Sequence, residues 1–185
     1  MKETGIIKNI FSWVVALKSR LGLKNKTFVT SVMVDKELVF KALDESLVVI
    51  STEVANILLS YRQMSLSSPE SAGVLIGERR GIHIVITDLS EPSQWDIRNR
   101  FMVDRISKHH QQAIDDAFKK SNGEWHYLGE WHTHPEDVPN PSMTDYTSWH
   151  KSLKSELPLI LIIAGRTHFW IGKKIQNKIE ILKQV

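Results

Sequence analysis

The chain contains no cysteine among its 185 residues. This absence excludes a disulfide framework and a cysteine nucleophile, and with it a papain-like hydrolase. It also excludes the thiolate-rich sites that hold most structural zinc, so any zinc site in this chain should be of the open, catalytic kind. A chain without cysteine fits a reducing compartment, and we expect the protein in the cytoplasm.

A strong excess of one charge sign is also lacking. The 24 basic residues against 21 acidic ones leave a formal net charge of only +3. Nucleic-acid binders carry a dense basic stripe, and this small excess does not provide one. We therefore expect no DNA or RNA partner.

Long apolar runs are missing as well. The segment from Ile6 to Leu23 places apolar residues at helical spacing with basic residues among them, which predicts an amphipathic helix. It is too short and too charged to span a bilayer, and no clean small-residue cleavage site follows it. We predict an N-terminal arm over residues 1–27 that docks on its own domain, with a partner protein or a membrane surface as the alternatives.

Residues 28–185 have the pattern of one folded domain, since the chain is 42% hydrophobic and 24% charged. Short apolar runs predict strands, and longer segments with helical periodicity predict helices. The predicted strands cover 28–34, 47–50, 73–77, 81–87, 127–134, 159–163 and 168–171, with a turn at 78–80. The predicted helices cover 52–63 and 103–120, and a third starts at Ser142. This order predicts a single α/β (α+β) domain with strands flanked by helices.

The most informative motif follows the predicted strand over 127–134. His132 and His134 are two residues apart, so both project from one face of the strand. Ser142 and Asp145 stand at the start of the next predicted helix. Catalytic zinc typically takes three protein ligands from imidazole and carboxylate groups and keeps a fourth position open, and His132, His134 and Asp145 form such a set.

A simpler interpretation is open at this point. The histidines could be ordinary strand residues, and Ser142 with Asp145 three residues later could be only a helix capping box. The two interpretations are compatible, because a capped first turn is rigid enough to aim Asp145 at a metal and Ser142 at a substrate.

The spacing resembles a known family. His132-Thr133-His134, seven residues, Ser142, two residues and Asp145 looks like the signature of the JAMM (MPN+) zinc metalloproteases. The segment from Glu70 to Gly77 resembles the family's acidic residue followed by a glycine-bearing strand. Ala72 departs from it where a second glycine is common. The resemblance covers residues 34–172.

This resemblance implies a curved mixed sheet, a Zn²⁺ cofactor and the hydrolysis of a peptide or isopeptide bond after the tail of a ubiquitin-like protein. It implies His132, His134 and Asp145 as metal ligands. Glu70 would be the general base, and Ser142 would donate a hydrogen bond to the developing oxyanion.

A longer stretch, Tyr127 to Glu136 with Pro141, Ser142 and Trp149, resembles the bacterial branch encoded in CBASS antiphage operons. In that branch an operon-encoded E1-E2-like ligase attaches a cyclic-nucleotide synthase to targets, and the JAMM protein removes it. Two alternatives stay open: a non-catalytic MPN scaffold, and a housekeeping deconjugase of a ubiquitin-like sulfur carrier.

Two further groups need an interpretation. Glu130 shares the strand face of the two histidines, so it could assist at the site, or it could be a solvated or salt-bridged side chain. His109 and His110 are adjacent in a predicted helix, where their directions diverge, so we predict surface residues that share no metal.

Overall fold

The structure, a computed structural model, describes residues 33–185. The predicted arm over residues 1–27 and most of the predicted strand over 28–34 lie outside the described residues. The division between an arm and a domain over 28–185 therefore stays a prediction. Met33 and Val34, the described end of that predicted strand, are not in a strand.

The described chain alternates strands with three helices. The helices are α1 (Thr52–Ser60), α2 (His109–Lys120) and α3 (Met143–Ser152). The strands are β1 (Leu38–Lys41), β2 (Leu47–Ile50), β3 (Ala72–Arg80), β4 (His83–Leu89), β5 (Ile97–Asn99), β6 (Met102–Asp104), β7 (His126–Thr133), β8 (Leu159–Ala164), β9 (Phe169–Ile175), β10 (Lys178–Ile181) and β11 (Lys183–Gln184).

Within the described residues, nine strands form one mixed sheet in the order β10-β9-β8-β7-β3-β4-β2-β1-β11. The pairs β2/β4 and β7/β8 are parallel, and the other neighbours are antiparallel. Strands β5 and β6 form a separate hairpin. This architecture confirms the predicted single α+β domain with a mixed sheet.

The sheet curves until its two ends approach each other. Only Leu182 separates β10 from β11, although these strands stand at opposite ends of the strand order. Lys173 on β9 also pairs with Asp44 in the turn between β1 and β2, at 2.6 Å. The predicted curvature is thus present.

The helices cover both faces of the sheet. On one face Val54 and Leu58 of α1 pack against a cluster that includes Leu75 and Ile162. On the other face Trp149 of α3 packs on Leu161 and its neighbours, and α2 packs on Val74 and Ile76 through Ala117. Because both faces are covered, the interior strand β8 is buried at all six positions and is a continuous apolar run in the sequence.

Several predicted boundaries were wrong. Residues 78–80 continue β3, and the chain turns instead at Gly81, whose φ of +62° suits glycine. The helix predicted over 103–120 begins only at His109, because residues 102–104 pair as β6. Its apolar spacing was misleading, since Ile106 is 58% exposed.

The helix predicted over 52–63 ends at Ser60. Strands β1, β5, β10 and β11 were not predicted. No helix in the described part of the chain is long and apolar enough to cross a membrane.

Candidate metal centre

The end of β7 brings two histidines together. His132 pairs with Ala72 of β3 in the sheet, and its ring lies beside Trp149 of α3. Its neighbour Trp131 points to the opposite face, where it joins the core under α1. The Nε2 atoms of His132 and His134 are 3.1 Å apart, so both rings can face one point.

Helix α3 supplies the carboxylate. Ser142 is its N-cap: its Oγ accepts from the Asp145 N–H, and Asp145 Oδ2 accepts from the Ser142 N–H at 2.6 Å and from its hydroxyl at 2.7 Å. This capping box holds Asp145 against the histidines. Its Oδ1 lies 3.3 Å from His132 Nε2, and its Oδ2 lies 3.4 Å from His134 Nε2.

These separations fit one small cation. A tetrahedral ion with ligand bonds of about 2.0–2.1 Å needs donor atoms about 3.3–3.4 Å apart. His132 Nε2 and His134 Nε2 are 3.1 Å apart, and the Asp145 oxygen nearest to each of them, Oδ1 and Oδ2 respectively, lies at 3.3 and 3.4 Å. The residues present therefore fit a metal of zinc's size.

The protonation states suit the same purpose. Burial lowers the pKa of His132, which favours the neutral imidazole that a metal binds. Burial would raise the pKa of Asp145, but hydrogen bonds from His132, His134 and Ser142 hold it well below its usual range. Burial alone would lower the pKa of His134, but the carboxylates of Asp145 and Glu70 outweigh burial and raise it. A cation at this point would replace that proton.

Glu70 lies beside His132, His134 and Asp145. It lies two residues before β3, is 8% exposed, and offers a carboxylate oxygen within 4.8 Å of the two histidine nitrogens. Burial raises its pKa to about 7, with His134 lowering it and Asp145 raising it further. Geometry alone allows Glu70 as a further ligand or as a base beside the metal.

A cavity of about 410 Å³ contains all these groups. The side chains singled out from the sequence all line it: Glu70, His132, His134, Ser142 and Asp145. A further part of the wall comes from Phe101, Met102 and Val103, at and after the tip of the β5–β6 hairpin. Sequence reasoning missed this wall, because the hairpin was predicted partly as helix.

Glu130 also lines the cavity, but a partner holds it. Its carboxylate forms an ion pair with Arg105, which also donates to the Gly73 carbonyl at 3.1 Å. Of the two roles considered for Glu130, the structure has the salt-bridged side chain.

The prediction for the adjacent histidines was half wrong. His109 is exposed, but His110 is buried and bonds Ser90 Oγ at 2.7 Å and Asp96 at 3.0 Å. These three have the order of a nucleophile triad, yet Ser90 is 2% exposed and its Oγ accepts from the Val74 N–H. The group is therefore a structural network, which the sequence did not signal.

The chain is similar to known proteins over most of its length. The family described as prokaryotic homologs of the JAB domain matches residues 53–178. A protein of Vibrio cholerae serotype O1, named CD-NTase/cGAS isopeptidase, is 53% identical over 153 residues, which are 83% of this chain and 98% of that protein.

Two more relatives carry the same name. The protein of Escherichia coli strain TW11681 is 53% identical over 148 residues, 80% of this chain and 95% of its own. That of Pseudomonas aeruginosa strain BWHPSA011 is 36% identical over 112 residues, 59% of this chain and 71% of its own. The similarity to the first two relatives thus extends over nearly their whole length.

Proposed function

The chain belongs to the family of prokaryotic homologs of the JAB domain, and on that premise we propose that it is a zinc-dependent isopeptidase that releases a conjugated CD-NTase, a cyclic-nucleotide synthase, from its targets. One observation carries the proposal. The chain is 53% identical over 153 residues, which are 83% of this chain and 98% of the relative, to a protein with that name, and its two histidines, its carboxylate and its buried acid converge in one cavity.

His132, His134 and Asp145 would hold the zinc. Their donor atoms lie 3.1 to 3.4 Å apart, and the cysteine-free chain offers only nitrogen and oxygen ligands. Bound zinc supplies a Lewis acid that polarises a carbonyl and acidifies water at neutral pH.

Glu70 would move the proton. Because burial raises its pKa to about 7, its carboxylate can take a proton from the attacking water and then give it up near neutral pH. The water oxygen bonds to the isopeptide carbonyl carbon, the C–N bond breaks, and Glu70 returns the proton to the departing lysine amine. One carboxylate thus serves both halves of the hydrolysis.

Ser142 would stabilise the charge that develops on the carbonyl oxygen. Its hydroxyl lies on the cavity wall and donates to Asp145 Oδ2 at 2.7 Å. A hydroxyl rotates about its C–O bond, so the proton can turn from Asp145 to the substrate oxygen as negative charge builds there.

The substrate would be a CD-NTase joined through its C-terminal tail to a lysine of another protein. By the CBASS resemblance, an E1-E2-like ligase would make that bond, and both proteins would act in the cytoplasm. A non-catalytic scaffold would not need a complete ligand set, and the set here is complete in a single cavity.

The first test is zinc content. We expect about one zinc per purified chain and almost none in His132→Ala, because three protein ligands are needed. A chain that binds no zinc even after reconstitution would favour the scaffold. Hydrolysis that persists in a strong chelator would contradict the metalloprotease.

The second test asks whether Glu70 is the general base. On a CD-NTase fused through its C-terminus to a reporter protein, Glu70→Gln should lower kcat about 10²- to 10⁴-fold with zinc retained. Glu130→Gln is the matched control, since Glu130 is paired with Arg105, and it should keep most of the turnover. Full turnover in Glu70→Gln would show that the base has been misassigned.

A further inference from the structure

The β5–β6 hairpin holds the backbone of Glu70. The Glu70 N–H donates to the Asn99 carbonyl at 2.7 Å, and the Glu70 carbonyl accepts from Arg98 Nε at 2.7 Å. A second nitrogen of the same guanidinium donates to the Ser71 hydroxyl. Both backbone polar groups of Glu70 are therefore used by the hairpin.

The sheet itself does not reach Glu70. The pairing of β3 with β7 begins at Ala72, opposite His132. Ser71 is tied to Thr133 by two hydrogen bonds, at 2.9 and 3.0 Å. Glu70 is the next residue outward, so the position of its Cα depends on the hairpin rather than on the strand ladder.

The hairpin is itself anchored at its base and at its tip. At the base, Asp96 accepts from the Ser93 and Ser107 N–H groups and bonds His110. At the tip, Gln63 donates to the Arg100 carbonyl at 2.8 Å. Arg98 thus extends from a fixed platform.

Arg98 is half-buried and is not among the residues that line the cavity, so an effect on the reaction would be transmitted through Glu70. Its guanidinium is planar and presents two donors in a fixed fork, here to Glu70 and Ser71 together. Such a fork restricts both the position and the rotation of the peptide unit between these residues.

We propose that Arg98 is a positioning residue that clamps the backbone of Glu70 and thereby aims its carboxylate at the reacting atoms. The proposal rests on the proposed function, because it assumes that Glu70 transfers the proton. A displacement of a catalytic group by about 1 Å can cost about 10²-fold in rate. Loss of the clamp should therefore lower kcat rather than weaken substrate binding.

The experiment compares Arg98→Met with Arg100→Met. Arg100 is on the same hairpin and loses the same charge, but its guanidinium donates to the Ser65 carbonyl and lies over the Phe101 ring, away from Glu70. On the CD-NTase–reporter fusion, we expect Arg98→Met to lower kcat about 10- to 100-fold with KM within about twofold. Arg100→Met should stay within about threefold of the wild type in both.

Arg98→Lys tests the fork separately from the charge. Lysine keeps the positive charge but cannot bond Glu70 and Ser71 in one plane, so its kcat should fall between those of the wild type and Arg98→Met. A wild-type kcat in Arg98→Lys would overturn the two-point clamp.

Hydrogen exchange gives a readout that needs no substrate. In Arg98→Met, exchange at the Glu70 amide, which the hairpin holds, should rise about tenfold. The Ser71 and Thr133 amides, which are bonded to each other's residues, and the zinc content should stay at the wild-type values. Faster exchange throughout the sheet, or loss of zinc, would indicate general destabilisation and overturn the proposal.

Failure of the Arg98 proposal can be distinguished from failure of the proposed function. If the wild-type protein binds zinc but cleaves no fusion, the proposed substrate is wrong, and the exchange measurement still decides whether Arg98 holds Glu70. If the wild type is active and Arg98→Met matches Arg100→Met in kcat, Arg98 does not position the base. A raised KM with unchanged kcat would place Arg98 in substrate binding and contradict the proposal.

Discussion

The Asp145 carboxylate takes part in both the helix cap and the candidate metal centre. Its Oδ2 accepts both the N–H and the hydroxyl of Ser142, the N-cap of α3, and lies 3.4 Å from His134, while its Oδ1 lies 3.3 Å from His132. The geometry thus lets one side chain serve both the capping box and the proposed metal site, as the sequence allowed. The hydrogen bonds that stabilise the helix end also orient the proposed ligand.

Two substitutions of Ser142 can separate the role of its hydroxyl in the helix cap from its proposed role at the oxyanion. Ser142→Ala and Ser142→Gly both remove the hydroxyl, and we expect both to lower kcat about 10²-fold if that hydroxyl stabilises the oxyanion. They differ in stability, because alanine is a poor N-cap and costs about 1 kcal/mol, whereas glycine costs only a few tenths.

The measurement is kcat beside a urea unfolding curve for each variant. An activity loss confined to Ser142→Ala would assign the hydroxyl to capping alone.

At the scale of elements, the close approach of β7 and β8 supports the end of β7 that carries His132. Gly129 of β7 has φ of +146° and pairs with Ile160, and a Cβ at this position would lie 1.8 Å from the Ile160 carbonyl oxygen. No side-chain rotation relieves a contact with backbone, so the two strands would have to separate.

Gly129→Ala should therefore lower the free energy of unfolding by about 3 kcal/mol or more, at the upper end of overpacking costs. Gly81→Ala is the control. Gly81 also has positive φ but open space around its Cβ, so its cost should be about 1–2 kcal/mol.

Urea unfolding curves measure the free energy of unfolding of Gly129→Ala and Gly81→Ala. A Gly129→Ala protein as stable as the control would mean that β7 and β8 are not as close as described.

At the scale of the whole molecule, an ion pair joins the two ends of the curved sheet. Lys173 of β9 is 3% exposed and bonds Asp44 and Ser46, which lie near the far end of the strand order. The hydrogen bond from Lys173 lowers the pKa of Asp44 from 3.8 to about 2. A buried ammonium group without its carboxylate is costly, so the pair favours the closed sheet.

The pH dependence follows from the sign of this shift. A folded-state pKa below the unfolded value means that Asp44 stabilises the fold above about pH 4, and that this contribution is lost as the pH falls to about 2. Asp44→Asn should be less stable than the wild type near neutral pH, and the difference should shrink over that window.

The urea unfolding midpoints of the wild type and Asp44→Asn, measured between pH 6 and pH 2, would give this difference in stability. Glu45→Gln, which breaks the exposed Lys41–Glu45 pair, should change little at any pH. A difference between wild type and Asp44→Asn that does not vary with pH would contradict the assignment.

The sequence by itself determined what depends on neighbours in the chain. The two-residue spacing of His132 and His134 and the three-residue spacing of Ser142 and Asp145 dictate a shared strand face and a shared first helical turn. The apolar runs likewise determined most of the sheet strands. Family membership could be inferred from the same local spacing.

Only the tertiary structure decided which distant segments meet at that face. Glu70 was placed at the site by resemblance alone, and its backbone contact with Arg98 comes from a hairpin whose second strand was predicted mostly as helix. The burial of His110 and the pairing of Glu130 with Arg105 could not be read from the sequence for the same reason. Local periodicity determines the face of a strand or helix on which a side chain lies. Which residue from a distant segment contacts that side chain is determined by long-range packing.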